Sequence, residues 1–511
     1  MIKKSFIIIV ILFLITPLVY SQKSIQYRSD VGKINPENPN DITLIGHVEF
    51  KHNGLIMYCD SAIYNKKDNY FIAFNHINIY DNDTIHLSGD LLNYDGKTRI
   101  AELSGEKVIL EDGKVTMQTN YLVLDRVVNV VRYVSGANIW DNKNTLKSTE
   151  GIYFVDDKVF NFLYNVEITS PKANINSDSL IYNTKTEKAT FIGPTVINAK
   201  DSTIIKTTQG DYNTKTDEVY SEKNAEIYTK DQYITSDTLY YNKKKKIGYA
   251  YGNVFVKDTT NNIILNCDKA TLDKIDTLSY SILTGKILCR QIDNQDTLYF
   301  HSDTIVVNMD TSFKAKTLIA YNHCKFFRND FQGAAEWMKY NVEDSILTMI
   351  KRPILWSEES QITSDTIVMY TTKKGGIKKL FMYPNALIVQ NSDTTTSEYF
   401  NQIFGKHLVG YFEKNKIYFA EIEGNSQSIY YVWDEKKNRK KTLTGVNIGR
   451  SQKTRLYFKK GKVKSMSAIN NPEYYIDDDT KVSQTDKRLK GFIWEIKEKP
   501  LKPIDVFVER K

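Results

Sequence analysis

Six aspartates recur in similar company along the chain: Asp60, Asp178, Asp237, Asp268, Asp303 and Asp365, each preceded by Ser or Cys and all but Asp268 followed by Ser or Thr. A ladder of carboxylates could serve acid–base chemistry or bind calcium. Calcium demands a second oxygen ligand at a fixed offset and glycine-rich binding repeats, and neither recurs here. An aspartate just before a strand is explained by an Asx-type bond to the backbone, so the ladder reads as structural. His47, His76 and His323 each follow a Gly or Asn. They lack the His-x-x-x-His or Cys-x-x-Cys spacing of a metal site and read as surface histidines. Gly-x-Ser-x-Gly, a phosphate-binding loop and a dinucleotide fingerprint are absent. These residues therefore predict no catalytic group, metal or cofactor, and a protein that is not an enzyme.

The elements that position these residues repeat. From Gly46 to Val389 two patterns alternate every 28 to 37 residues. One resembles Ser-Asp-Ser/Thr-Leu-x-Tyr-Asn, as in Ser177–Asn183 and Ser236–Asn242, with weaker copies at Ser88, Thr119, Ser148, Thr207 and Gly333. The other is a short apolar stretch, then Gly or Asn, then an alternating strand. That Gly or Asn stands at Gly46, Asn75, Gly105, Gly136, Asn165, Gly193, Asn224, Gly252, Gly285 and Asn322. Both types tolerate positive φ, which predicts a bulge that bends each strand. Polar turns such as 65–69, 183–187 and 242–246 join the strands into hairpins. One hairpin cannot bury its apolar face alone, so the units must stack. The expected fold is all-β, an elongated open β-jellyroll of stacked hairpin repeats, as one jellyroll or two.

Lys3 and Lys4 followed by the apolar run Phe6–Tyr20 read as a secretory signal cleaved before Gln22. The expected organisation is a signal peptide over 1–21, a lead-in over 22–45, stacked repeats over 46–396, a β module over 397–476 and an irregular basic tail over 477–511. The chain carries +8 at pH 7, with 21 basic and 11 acidic residues from Trp433 onward. A basic end suits phosphate groups or an acidic partner, and equally a plain solvated surface. The runs Lys243–Lys246 and Lys436–Lys441 fall in predicted turns, and export makes nucleic acid an unsuitable partner. Cys59, Cys267, Cys289 and Cys324 are too scattered for a disulfide framework; a Cys289–Cys324 bridge and buried free thiols both fit the sequence.

The Asp-Ser/Thr-Leu-x-Tyr-Asn and Gly-x-Val-x-Ile units, with Phe400-Asn401-Gln402-Ile403, Gly405 and Gly424-Asn425, resemble the OstA-like (organic solvent tolerance) proteins of Gram-negative bacteria. The resemblance implies kinship with the periplasmic bridge component of lipopolysaccharide transport and with the N-terminal domain of the outer-membrane insertion protein. It implies a periplasmic protein, free or attached to the outer membrane, that binds lipopolysaccharide or lipid A acyl chains. It also implies edge-strand pairing with other β-jellyroll transport proteins and peripheral contact with membrane protein complexes. On that reading Val48, Phe50, Ile77, Ile79, Val108, Leu110, Ile139, Val166, Ile168, Val254 and Val256 line a lipid groove. Periodicity alone makes the same positions ordinary core. A parallel β-helix that binds or processes polysaccharide is the alternative, since its coils repeat at similar lengths.

Overall fold

The computed structural model describes residues 24–510 apart from 82–84, 276–277, 293–295, 373–375, 394–397, 435–441 and 460–461. The expected signal peptide and the Lys436–Lys441 run lie outside the described residues. The described chain forms forty strands and three short 3-10 helices, and the strand pairs are antiparallel. Antiparallel hairpins exclude the coils of a parallel β-helix. The chain divides into two compact units, one up to Pro171 with Asn176–Glu187, the other Lys172–Ile175 with Lys188 onward.

In the first unit each long strand is bent once and serves two layers. Strand Asp41–His52 pairs through Asp41–Ile45 with Ser61–Asn65 and through Val48–His52 with Leu55–Cys59, and the register slips between Ile45 and Val48. We call the layer of the Asp41–Ile45 halves upper and that of the Val48–His52 halves lower. The same slip recurs between Phe74 and Ile77 and between Ser104 and Val108. Nine of the ten predicted bend residues have positive φ, from 52° at Asn165 and Asn224 to 106° at Gly193; Gly105 is the exception. At Gly105 the slip spans an extra residue, which bends the strand without the left-handed conformation.

The second unit uses the same scheme, with slips between Ile192 and Thr195, Tyr251 and Val254, and Tyr321 and Cys324. Where the sequence pattern fades, the bend persists: Lys351, Arg352 and Asn385 also take positive φ. The ladder continues past residue 397, because Phe400–Gly405 pairs with Ala386–Asn391 and with Gln402-facing Ile429 in Lys416–Asp434.

The C-terminal segment lacks strands after Asp477 yet is well packed. It crosses the outer face of the lower layer. Gln402 donates to Lys487 O at 2.9 Å and accepts from Leu489 N at 2.9 Å. Gln361 does the same with Ile493 O and Glu495 N, both at 2.7 Å. Phe492 and Trp494 pack on Phe400, and Ile496 on Trp356. This strap buries the second face of the sheet, which is why Ile354-Leu355-Trp356 and Ala386-Leu387-Ile388-Val389 are apolar without alternation.

Candidate functional site

The aspartate ladder sits along the line of bends. Asp60 Oδ2 pairs with His76 Nδ1 at 2.8 Å, Asp303 with His323 at 2.7 Å and Asp30 with His47 at 2.7 Å. Asp237 and Asp365 instead accept from Asn253 and Asn385, each at 2.9 Å. Asp237 N and Asp268 N donate to the carbonyls of Gly252 and Gly285, both at 2.9 Å. The carboxylates of Asp60, Asp237, Asp303 and Asp365 thus brace the bend of the neighbouring strand rather than capping their own, whereas Asp178 Oδ2 accepts from the adjacent Ser179 hydroxyl at 3.3 Å. The side-chain partnership between His47, His76, His323 and their aspartates is the feature that sequence reasoning missed; Asp60 and Asp303 stand out by their place in the repeat, and Asp30 does not. Asp30 and Asp60 raise the pKa of His47 and His76 respectively, chiefly through the hydrogen bond. Among the described residues no group of three or more His, Cys, Asp or Glu could hold a metal ion. The four cysteines are free, and burial pushes the Cys59 and Cys324 thiols up to about 12.

The predicted groove residues face the interior between the layers. Phe50, Ile79, Leu110, Ile139 and Ile168 lie on one continuous row of the lower layer, alternating with Met57, Leu87, Met117 and Leu146. Val48, Ile77, Val108, Val166 and, in the second unit, Val254 are equally interior. All ten are at most 1% exposed. In the first unit the facing upper layer presents Tyr64, Phe71, Tyr94, Tyr153 and Phe160 on one row, and Phe50 stacks on Phe71 across the layers at 3.8 Å. Its interior is filled, so the first-unit positions are packed core in this structure and not the wall of an open trough.

The second unit differs at Val256. There the interior residues Val256, Leu265, Leu298, Phe300, Val307 and Leu318 are only half-buried. The cause lies in the upper layer, where the corresponding row runs Gly248, Leu272, Ser281, Val307 and Leu318. Small or aliphatic side chains replace the rings, and the side chains between the layers are left partly exposed there. The sequence signal for this was present as the loss of aromatics at the Tyr-Asn position of the repeat.

The strand ends farthest from the bends carry a second polar series. His52, Asp81, Asp112 and Asp141 occupy every second strand of one lower-layer row, with Leu55, Ile85, Val115 and Asn144 between and beyond them. Each reaches an upper-layer group: His52 Nδ1 to Tyr94 Oη at 2.7 Å, Arg126 to Asp81 at 2.8 Å, Tyr153 to Asp112 at 2.6 Å and Tyr182 to Asp141 at 2.9 Å. Lys158 adds a bridge to Asp112 at 2.6 Å. Burial raises the pKa of Asp81 and Asp141, opposed by Arg126 and by the Tyr182 hydroxyl respectively.

Comparison with known families resolves the kinship of this architecture. Residues 22–178 match the model of the OstA-like protein family. That stretch of the chain carries the pattern of the OstA-like family. Residues 233–375 match a second model, described as LptA/(LptD N-terminal domain) LPS transport protein, and that stretch contains Val256, Leu265, Leu298, Phe300, Val307 and Leu318. A search of curated proteins gave no match. Among solved structures, LptH of Pseudomonas aeruginosa, titled the LptA homologous periplasmic component of the lipopolysaccharide transport device, is 20% identical. The match covers 20% of this chain and 76% of that one with a TM-score of 0.18.

Proposed function

We propose that this OstA-like protein is a non-catalytic periplasmic lipid-binding component of lipopolysaccharide transport, which holds acyl chains between its two β-layers. The observation that carries the reading is the half-buried apolar interior of the second unit, inside the stretch that matches the transport-protein model. Exposing an acyl chain to water costs about 0.8 kcal/mol per CH₂, so a chain of roughly a dozen carbons needs ~10 kcal/mol of shelter. Val256, Leu265, Leu298, Phe300, Val307 and Leu318 offer that shelter without first being unpacked. The predicted groove residues of the first unit join it only where its layers part. Partners of the same fold would add to the edge strands. Gln26–Arg28 and Val31–Ile34, exposed throughout, pair on one side with Asp41–His52, and an extended edge is a template for another strand.

A photo-crosslinking side chain at Phe300 tests the reading in cells of a lipopolysaccharide-bearing host, with outward-facing Lys257 as control. Lipopolysaccharide adducts at Phe300 and none at Lys257 are expected. Adducts at neither position, or at Lys257 alone, would overturn it.

A further inference from the structure

We propose that the polar bridges at the strand ends of the first unit are latches that close its interior to acyl chains until they are broken. The proposal rests on the lipid-binding reading above and adds a regulation of the same seam. The bridges recur on alternate strands, so one stands about every 9.6 Å along the row. Their partners lie 42, 45, 41 and 41 residues apart in sequence and in opposite layers. They therefore tie the two layers together where the bends do not.

The latches are buried as core residues are. His52, Asp81, Asp112 and Asp141 are 3%, 4%, 6% and 1% exposed. A carboxylate at such a site is tolerated only with a partner, which makes each bridge an all-or-none contact rather than a surface decoration. The row they occupy is the outermost of the lower layer, and Ile79, Leu110 and Ile139 stand two residues inward on the same strands. An acyl chain cannot reach those side chains from the strand ends without separating a latch. The second unit carries bridges of the same kind on either side of its half-buried stretch, Asp201 with Lys243 at 2.6 Å and Asp330 with Asn415 at 2.7 Å. Both are more exposed than the first-unit latches: the side chains of Asp201 and Lys243 are 48% and 41% exposed, against 6% and 15% for the side chains of Asp81 and Arg126.

The test pairs two crosslinking positions with one set of latch variants. Full-length protein carrying benzoylphenylalanine at Leu110 or at Phe300 is exposed to purified lipopolysaccharide, with and without Asp81→Asn, Asp112→Asn and Asp141→Asn. In the unchanged latch background we expect adducts at Phe300 and few at Leu110. The triple variant should raise the Leu110 yield by roughly tenfold or more while leaving Phe300 within about twofold, since charge-assisted bonds are the strong ones being removed. Equal yields at both positions before any latch is changed would overturn the gate, as would a folded triple variant with no gain at Leu110. Absence of adducts at Phe300 in the unchanged background would instead overturn the lipid-binding reading itself. Circular dichroism reports whether the triple variant keeps its β-structure. If it does not, Asp112→Asn alone, whose latch stands two residues outward of Leu110, replaces it with the same two outcomes at Leu110.

Discussion

Gly252→Ala perturbs the bend at its most constrained point. Gly252 has φ +72°, and a Cβ built there would meet Asp237 Oδ2 at 2.2 Å. The left-handed conformation costs an alanine about 1–2 kcal/mol. Asp237 must also withdraw, which loosens its bond from Asn253 Nδ2 at 2.9 Å, worth about 1 kcal/mol. The expected loss is therefore about 2–3 kcal/mol. Gly252→Asn should lose less, about 1 kcal/mol, because asparagine visits this region more readily. Asn75 and Asn322 occupy the equivalent point with φ 59° and 61° beside Asp60 and Asp303. Urea denaturation followed by tyrosine fluorescence, read at the midpoint, measures both. An alanine variant as stable as the parent, or an asparagine variant less stable than the alanine one, would refute the account of the bend.

The His76–Asp60 pair gives a pH signature. Its folded pKa is raised above the ordinary 6.5, so its contribution is fully present below 6.5 and fades as pH rises through the raised value. Asp60→Asn should move the His76 titration midpoint, read by NMR, back toward 6.5; an unmoved midpoint would show that the pair is not formed in solution. The strap predicts a protease result: Gln402→Ala leaves Leu489 N without its partner and Lys487 O with the Arg488 guanidinium alone, and should weaken docking by about 1–3 kcal/mol. Limited proteolysis should then cut between residues 478 and 500 at least several-fold faster than in the parent, and an equal rate would remove the clamp from the account.

The strands, their bends and their two-layer arrangement were legible because one residue type at one spacing imposes each. Gly or Asn before an alternating strand predicted the positive φ at nine of ten positions, and alternation predicted the inward row from Phe50 to Ile168. What escaped notice depends on contacts across the layers. Asp81, Asp112 and Asp141 end their strands after Ile79-Tyr80, Leu110-Glu111 and Ile139-Trp140, a recurrence visible in the sequence. Their partners Arg126, Tyr153 and Tyr182 lie in turns and strands more than forty residues on, and no local rule pairs them. The strap was equally hidden. Its anchors Leu489, Phe492, Trp494 and Ile496 lack strand or helix periodicity, because they follow the cross-strand row Gln361, Val389 and Gln402 instead of one of their own.

The two units show how one strand grammar yields two interiors. Strand length, bend and ladder are alike in both, so none of these decides whether a space between the layers remains. The decision falls on the upper-layer row nearest the strand ends. With Tyr64, Phe71 and Tyr94 in that row, rings reach the lower layer, and the hydroxyls of Tyr94, Tyr153 and Tyr182 are placed to meet the polar strand ends. At three of the four latches the aromatic filling and the tie are thus one feature, since a tyrosine supplies both the ring that fills and the hydroxyl that ties, while Arg126 ties the fourth. With Gly248, Leu272, Ser281 and Val307 in the row there is neither ring nor hydroxyl of that reach, and the aliphatic side chains below are left half-covered. Residues at a single position of this degenerate repeat therefore decide how much apolar surface is left accessible between the layers, without altering the backbone that carries it.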